Sequence, residues 1–270
     1  MPGIEVNQLD DGRLEVVPSQ SWIGTFFNCA EQARHEMVGS LPRKETDATA
    51  IGTAMHLGIE SVLNGSSVDE GAEVAKQEFE RLVELPEFQW VQVKTIGTGL
   101  ATVERTFWSW ANEILPHLPP TVAVEYKFDY PFFENEEFVV RLKGTMDFIG
   151  EGPEGLEIWD WKTAGRRWDA YETKWKIQPT IYSWALAQEY GEDRAYDFVY
   201  AIMLKSQQDV QVITTQRNNE HWQWLEMQLA SMLPLIKAEL AHWPMRDQHS
   251  LCSPKWCGVY DICRGASGLR

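Results

Sequence analysis

Residues 137–163 read EFVVRLKGTMDFIGEGPEGLEIWDWKT, and this stretch decides the fold. EFVVRLKGTMDFIG (137–150) and GLEIWDWKT (155–163) are rich in β-branched and aromatic residues, and the turn-forming run EGPEG joins them. That pattern predicts two strands of a hairpin. A third strand, TVAVEYKFDY (121–130), precedes them across the polar turn ENEE, giving an antiparallel meander. Asp147 falls near the end of one strand, and Asp160, thirteen residues on, near the end of its neighbour. A hairpin brings two such carboxylates together, and buried like charges repel unless a cation lies between them. Hard oxygen ligands of this kind suit Mg²⁺ or Mn²⁺. Lys162 is two residues after Asp160, so on a strand both side chains share a face. The Asp/Glu-x-Lys triplet occurs three times, at Glu125–Lys127, Asp160–Lys162 and Glu172–Lys174. Only Asp160 sits in an apolar strand, among Leu156, Ile158, Trp159 and Trp161, with a second apolar-flanked acid one hairpin upstream. Glu125, on the strand before Asp147, reads as a surface strand residue, with an auxiliary acid as the alternative.

Outward from the hairpin, helices dominate the N-terminal side. Residues 1–18 form a polar lead-in with a short strand at most. Ser19 or Ser21 caps a helix running to about Met37, 39–47 is a loop, and 48–63 is a second helix ending at Asn64-Gly65. Ser67 starts a third, and a Trp-rich helix over about 89–116 stops at Pro119-Pro120. Beyond the hairpin we expect a helix over 171–190, strands over 195–205 and 209–216, a long helix over 218–243 and an irregular tail over 249–270. The expected architecture is a single mixed α/β domain over 1–270: a central mixed sheet flanked by helices, a helical N-terminal part and a cysteine-bearing C-terminal tail.

Two further motifs belong to predicted helices. Gln178-Pro-Thr-Ile-Tyr182 puts a carboxamide and a phenol at i and i+4 on one face, able to hold a nucleotide phosphate or base. Gly52-Thr-Ala-Met-His56 puts a small residue one turn before a histidine, where another backbone can approach and His56 can ligate a metal.

In this order, the motifs Gly52–His56, Gly144–Asp147, Asp160–Lys162 with Thr163, and Gln178–Tyr182 resemble the RecB-like branch of the PD-(D/E)XK nuclease superfamily. The likeness spans about residues 19–263 once the cysteines are included. Trp159 stands where the superfamily name places proline. The resemblance implies a restriction-endonuclease-like core. It implies Mg²⁺ or Mn²⁺ held by His56, Asp147, Asp160 and the Trp161 main-chain carbonyl. It makes Lys162 the catalytic lysine, and Gln178 and Tyr182 the motif that supports the site and contacts DNA.

The chain has 4 cysteines. Cys252-x4-Cys257-x5-Cys263 gathers three thiols, and Cys29 stands alone upstream. Such a cluster in a Pro- and Gly-containing segment suggests metal ligation. Four thiolates fit structural zinc, with His35 or His249 as substitutes, or an iron–sulfur cluster. One cysteine before the nuclease motifs and three after them resembles the AddB type and the CRISPR-associated type, which implies a [4Fe–4S] cluster, with zinc as the alternative. The x4 gap is longer than the x2 of that pattern. The N-terminus lacks a basic region followed by an apolar stretch, so it does not read as a secretory signal. The expected compartment is cytoplasm, that of a host if the chain is phage-encoded.

The net charge is −16. That excludes coating of nucleic acid or anionic membrane by bulk charge. The excess is unevenly spread: Glu125 to Asp160 holds ten acids against three bases. The following stretch WKTAGRRWDAYETKWK (161–176) holds Lys162, Arg166, Arg167, Lys174 and Lys176 against two acids. Trp161, Trp168, Tyr171 and Trp175 interleave with those bases. This composition suits either a grip on a single strand or inward packing of the rings. The resulting expectation is a metal-dependent DNA exonuclease acting in recombination, end processing or phage replication, on single strands or DNA ends. A separate recombinase, helicase or annealing protein would be its partner, with no membrane involved. The alternatives are a non-catalytic DNA-end-binding or protein-interaction module on the same fold, and a CRISPR spacer-acquisition nuclease.

Overall fold

A computed structural model describes residues 3–39, 45–191, 196–246, 252–253 and 257–266. Most of the expected 39–47 loop, the first residue of the strand expected over 195–205, His249 and parts of the tail lie outside the described residues. The polar lead-in is a hairpin: β1 (Ile4–Gln8) pairs antiparallel with β2 (Leu14–Pro18), from Ile4↔Pro18 to Gln8↔Leu14. Ser19 then caps α1 (Gln20–Asn28) by accepting the Trp22 N–H. The expected continuous helix breaks at Cys29, whose backbone is extended (φ −159°, ψ 105°), and resumes as α2 (Ala30–Met37).

Thr46 caps α3 (Asp47–Leu63), and Ser67 with Glu70 forms a capping box for α4 (Val68–Val83). The Trp-rich helix starts later than its composition suggests, as α5 (Ile96–Glu113) capped by Thr95. The reason is Asp47: its buried carboxylate accepts the N–H groups of Val91, Gln92 and Val93, which holds that segment out of helix. A 3₁₀ turn, Leu115–His117, leads into Pro119-Pro120. Three strands follow, β3 (Thr121–Glu134), β4 (Phe138–Gly152) and β5 (Gly155–Ala164). The expected 171–190 helix is two, α6 (Ala170–Thr173) and α7 (Ile177–Tyr190). Strands β6 (Tyr196–Leu204) and β7 (Val210–Arg217) precede α8 (Asn219–Lys237). α8 ends six residues short of expectation and carries Pro234 inside it. Part of the tail, expected to be irregular, is helical as α9 (Tyr260–Ala266).

The chain forms two compact units, Met1–Pro42 with Phe128–Gly144 and Asn219–Arg270, and Arg43–Lys127 with Thr145–Asn218. In the second, the strand order is β4-β5-β6-β7. β4 and β5 are antiparallel, β5 and β6 parallel, and β6 and β7 antiparallel, so the sheet is mixed. Phe148, Trp159, Trp161, Val199, Ala201 and Met203 form one buried cluster with Ile51, Met55 and Ile59 of α3, Phe79 of α4, and Phe107 and Trp110 of α5. Trp110 meets Trp161 edge-on at 6.0 Å. α7 packs on β6 and β7, with Tyr182 against Phe198. The α3–α4 crossing is tight at two glycines: a Cβ on Gly58 would lie 2.7 Å from the Gly71 carbonyl oxygen.

In the first unit, β2 pairs parallel with the start of β4, Leu14↔Phe138 to Val16↔Val140. Trp22, fully buried, packs on Phe26 and Trp243 and donates its indole N–H to the Ala33 carbonyl at 2.9 Å. Among the described residues no helix is long and apolar enough to cross a membrane.

Candidate active site

The β4–β5 register runs from Gly152↔Gly155 to Phe148↔Trp159, so the next position sets Asp147 opposite Asp160. Alternation along β5 sends Trp159 and Trp161 into the α3–α5 core and leaves Asp160 and Lys162 on the opposite face. The two carboxylates are buried, Asp147 at 8% exposed and Asp160 at 1%.

Each acid is held from two sides. Asp147 accepts the Trp161 backbone N–H at Oδ2, 2.8 Å, and its Oδ1 faces His56 Nδ1 at 3.5 Å. The other ring nitrogen of His56, Nε2, lies 2.8 Å from the Trp161 carbonyl oxygen. A carbonyl only accepts, so Nε2 carries the proton there. Burial opposes charge on this ring, yet the Asp147 carboxylate outweighs it and raises the histidine pKa. Asp147 itself is pushed up by burial but held net below the usual carboxylate range by His56 and Lys162. Asp160 pairs with Lys162 and accepts from Gln178 Nε2 at 2.7 Å. Burial raises Asp160, and the lysine only partly compensates. Gln178 also hydrogen-bonds Tyr182, whose buried phenol is held above the usual tyrosine range. The pair at i and i+4 thus forms a shelf behind Asp160, with both side chains buried.

Of the two sequence readings of Glu125, surface strand residue and auxiliary acid, the position beside the site fits the second. One ligand atom each from His56, Glu125 and Asp147 falls within 4.8 Å of the others. The Glu125 backbone is left-handed, φ +50°, a departure from the extended geometry of β3. Burial, then the Asp147 charge, pushes its carboxyl up to about 7. Two carboxylates and an imidazole crowded this way are a donor set that a divalent cation relieves, so the residues fit a hard metal ion. An open cleft of about 420 Å³ leads to them, lined by Gly52, Thr53, His56, Glu60, Glu78 and Glu125. The close backbone approach expected at Gly52 is absent: a Cβ there would meet only Thr163 Oγ1, at 3.9 Å.

The basic candidates lie on the loop after β5. Arg166 is exposed, and Arg167 pairs with Asp209 at 2.6 Å. Lys174 Nζ lies 5.6 Å from the Tyr171 ring centre and Lys176 Nζ 4.8 Å from that of Trp168. Trp161 packs inward, as described. In the first unit, Cys29, Cys252, Cys257 and Cys263 are unbridged and partly buried. Burial pushes the Cys257 thiol up, with Cys252 and Cys29 close enough to add to it. Burial raises Cys263 likewise, and Glu31, Cys29 and Cys257 add to the effect. Arg264 reaches Cys252 Sγ at 3.0 Å.

A buried acid pair opposed across a hairpin, a lysine on the second acid and a histidine reaching in from a helix define a nuclease of the PD-(D/E)XK kind. The description "PD-(D/E)XK nuclease superfamily" matches residues 18–264, and the chain belongs to that superfamily. A solved structure described as a "Putative exonuclease" from Eubacterium rectale shares the fold, at TM-score 0.54 and 14% identity over 92% of this chain and 86% of that one. A second, described as SSO0001, has TM-score 0.37 and 10% identity over 90% of this chain and 94% of that one. No curated protein sequence matches the chain at a significant level.

Proposed function

We propose that the protein is a metal-dependent DNA exonuclease. The observation that carries this is the convergence of His56, Glu125 and Asp147 within 4.8 Å, beside Asp160 with its bound Lys162, in a member of a nuclease superfamily. His56, Asp147, Asp160 and the Trp161 carbonyl would hold Mg²⁺ or Mn²⁺, and Glu125 extends that set. Such an ion supplies Lewis acidity and a more acidic water. The chain's own groups do the rest. Lys162 places a positive charge beside Asp160, where negative charge builds on the phosphodiester during attack. Gln178 fixes the Asp160 carboxylate, and Tyr182 fixes Gln178. The deep burial of both acids keeps bulk water from screening them. Arg166, Lys174 and Lys176 attract the strand, and Arg167 joins them when its exposed pair with Asp209 opens.

The four cysteines would bind a [4Fe–4S] cluster, or zinc in its place, closing a long loop between Cys29 and the tail, which restricts the unfolded chain. The role is in recombination, end processing or phage replication in the cytoplasm, with any unwinding or annealing partner a separate chain.

Two measurements test this reading. End-labelled linear DNA and closed circular DNA are incubated with Mg²⁺ or Mn²⁺ and wild type, Asp160→Ala or Lys162→Ala protein. Loss of linear DNA alone, abolished in both variants, is expected; equal activity in all three proteins overturns the reading. Anaerobically purified protein should absorb broadly near about 400 nm, as thiolate-bound iron–sulfur centres do. Stoichiometric zinc without iron would make the site a zinc staple.

A further inference from the structure

The loop 165–176 joins β5, which carries Asp160 and Lys162, to α7, which carries Gln178. Two of its rings face solvent, Tyr171 at 60% exposed and Trp175 at 66%. Their centres are 6.2 Å apart and their planes 70° apart. Large aromatics in water forgo a substantial hydrophobic gain, so two on one short loop call for a reason.

The loop is also held far more firmly than an exposed loop needs to be. At its start, Gln211 of β7 accepts the Trp168 N–H at 2.8 Å and donates back to the Trp168 carbonyl at 2.9 Å. At its end, the buried Arg217 of β7 donates Nη2 to the carbonyls of Thr173 at 3.1 Å and Lys174 at 2.9 Å, and Nε to Thr180 Oγ1 at 3.1 Å. A guanidinium taken out of water to satisfy loop carbonyls fixes the backbone that presents the rings. A surface fixed before binding loses less entropy when a ligand arrives.

We propose that Tyr171 and Trp175 form a stacking platform for unpaired nucleic-acid bases, with Lys174 and Lys176 taking the adjoining phosphates. Base faces stack on exposed rings without regard to sequence, and interleaved cations follow the backbone. Within a duplex those faces are covered by neighbouring base pairs, so the platform selects an unpaired strand. The local charge agrees: residues 161–176 carry five bases against two acids in a chain of net charge −16. Trp175 precedes Gln178 by three residues, which limits their Cα separation to about 11 Å. The platform is therefore joined directly to the helix whose Gln178 holds Asp160. The inference rests on the nuclease reading and adds to it the state of the substrate and two residues that recognise it.

The test is binding to the full-length protein in EDTA, read by fluorescence anisotropy. Three labelled probes of equal length are used: oligothymidylate, an abasic single strand and a blunt duplex. Wild type should bind oligothymidylate roughly tenfold more tightly than the abasic strand. The double variant Tyr171→Ala with Trp175→Ala should bind both single strands at the abasic level, with duplex binding and thermal stability unchanged. Lys174→Gln should weaken both single strands together. Equal wild-type affinity for the two single strands, or a double variant that still distinguishes them, overturns the platform. Because no cleavage is involved, an inactive protein that still tells these probes apart would sink the nuclease reading and keep the platform. An active one that does not would do the reverse.

Discussion

Gln178 donates from Nε2 to Asp160 Oδ1 at 2.7 Å, and the two residues come from different elements, α7 and β5. Gln178 is buried, and the work we propose for it is on the carboxylate. Partners of this kind orient a ligating group, and losing one costs about 10–100-fold in activity or metal affinity. Gln178→Ala should lower kcat by that factor and raise the Mg²⁺ concentration needed for half-maximal rate, with KM for DNA unchanged. Steady-state kinetics across a metal titration check this; a change in KM alone would place Gln178 on the substrate instead.

The two glycines of α3 differ in what surrounds them. A Cβ on Gly58 meets the Gly71 carbonyl oxygen at 2.7 Å and Ala75 at 2.8 Å, both on the neighbouring helix. Backbone cannot yield as a flexible side chain does, so Gly58→Ala should cost about 1–3 kcal/mol. Gly52→Ala adds only a contact at 3.9 Å and removes a glycine from a helix interior, so it should stabilise by about 0.5–1 kcal/mol and raise the urea midpoint.

Local pattern carried much of the fold. The strands around Asp147 and Asp160, the capped helices at Ser19 and Ser67 and the Lys162 face all follow from short-range rules. What was not legible depends on contacts far apart in sequence. Asp47 holds Val91, Gln92 and Val93 out of a helix that composition favours. Arg217 holds the Thr173 and Lys174 carbonyls and so supports the break between α6 and α7. Glu125 had two readings, a surface strand residue and an auxiliary acid, because nothing local to it says which groups the fold brings to it; the contact with His56 and Asp147 is long-range. Only its place on the strand preceding Asp147 pointed to it.

Glu31 gives a prediction for acid stability. It is fully buried, and its carboxylate accepts from Arg34 at 2.9 Å, from the Trp243 N–H at 2.7 Å and from His242 Nδ1 at 3.1 Å. Burial alone would raise its pKa, but these donors hold it at about 2, below the ordinary 4.5. Its stabilisation is therefore complete above pH 4.5 and lost as pH falls toward 2. Glu31→Gln should cost about 3 kcal/mol at neutral pH, and the two proteins should converge in stability as the acid limit is approached. Urea denaturation at stepped pH measures this; a constant gap down to the acid limit would show that the carboxylate charge is not the source.

Glu125 gives the opposite sign. Its carboxyl is raised to about 7 by burial and by Asp147, so the folded protein holds this proton more tightly than the unfolded chain does. Without divalent metal, stability should fall as pH rises from the ordinary 4.5 to about 7, by less than the full shift because the group is only half-buried. Metal ligation needs the ionised form, so added Mg²⁺ or Mn²⁺ should raise the melting temperature more at pH 8 than at pH 6. Glu125→Gln should reduce the decline in the metal-free protein, most of all near pH 7, and flatten the pH dependence of the metal effect, leaving what Asp160, raised to about 6, and His56 contribute. Melting curves of both proteins at the two pH values, with and without metal, decide it. Identical metal responses in wild type and Glu125→Gln would remove Glu125 from the ligand set while leaving His56, Asp147 and Asp160 in place.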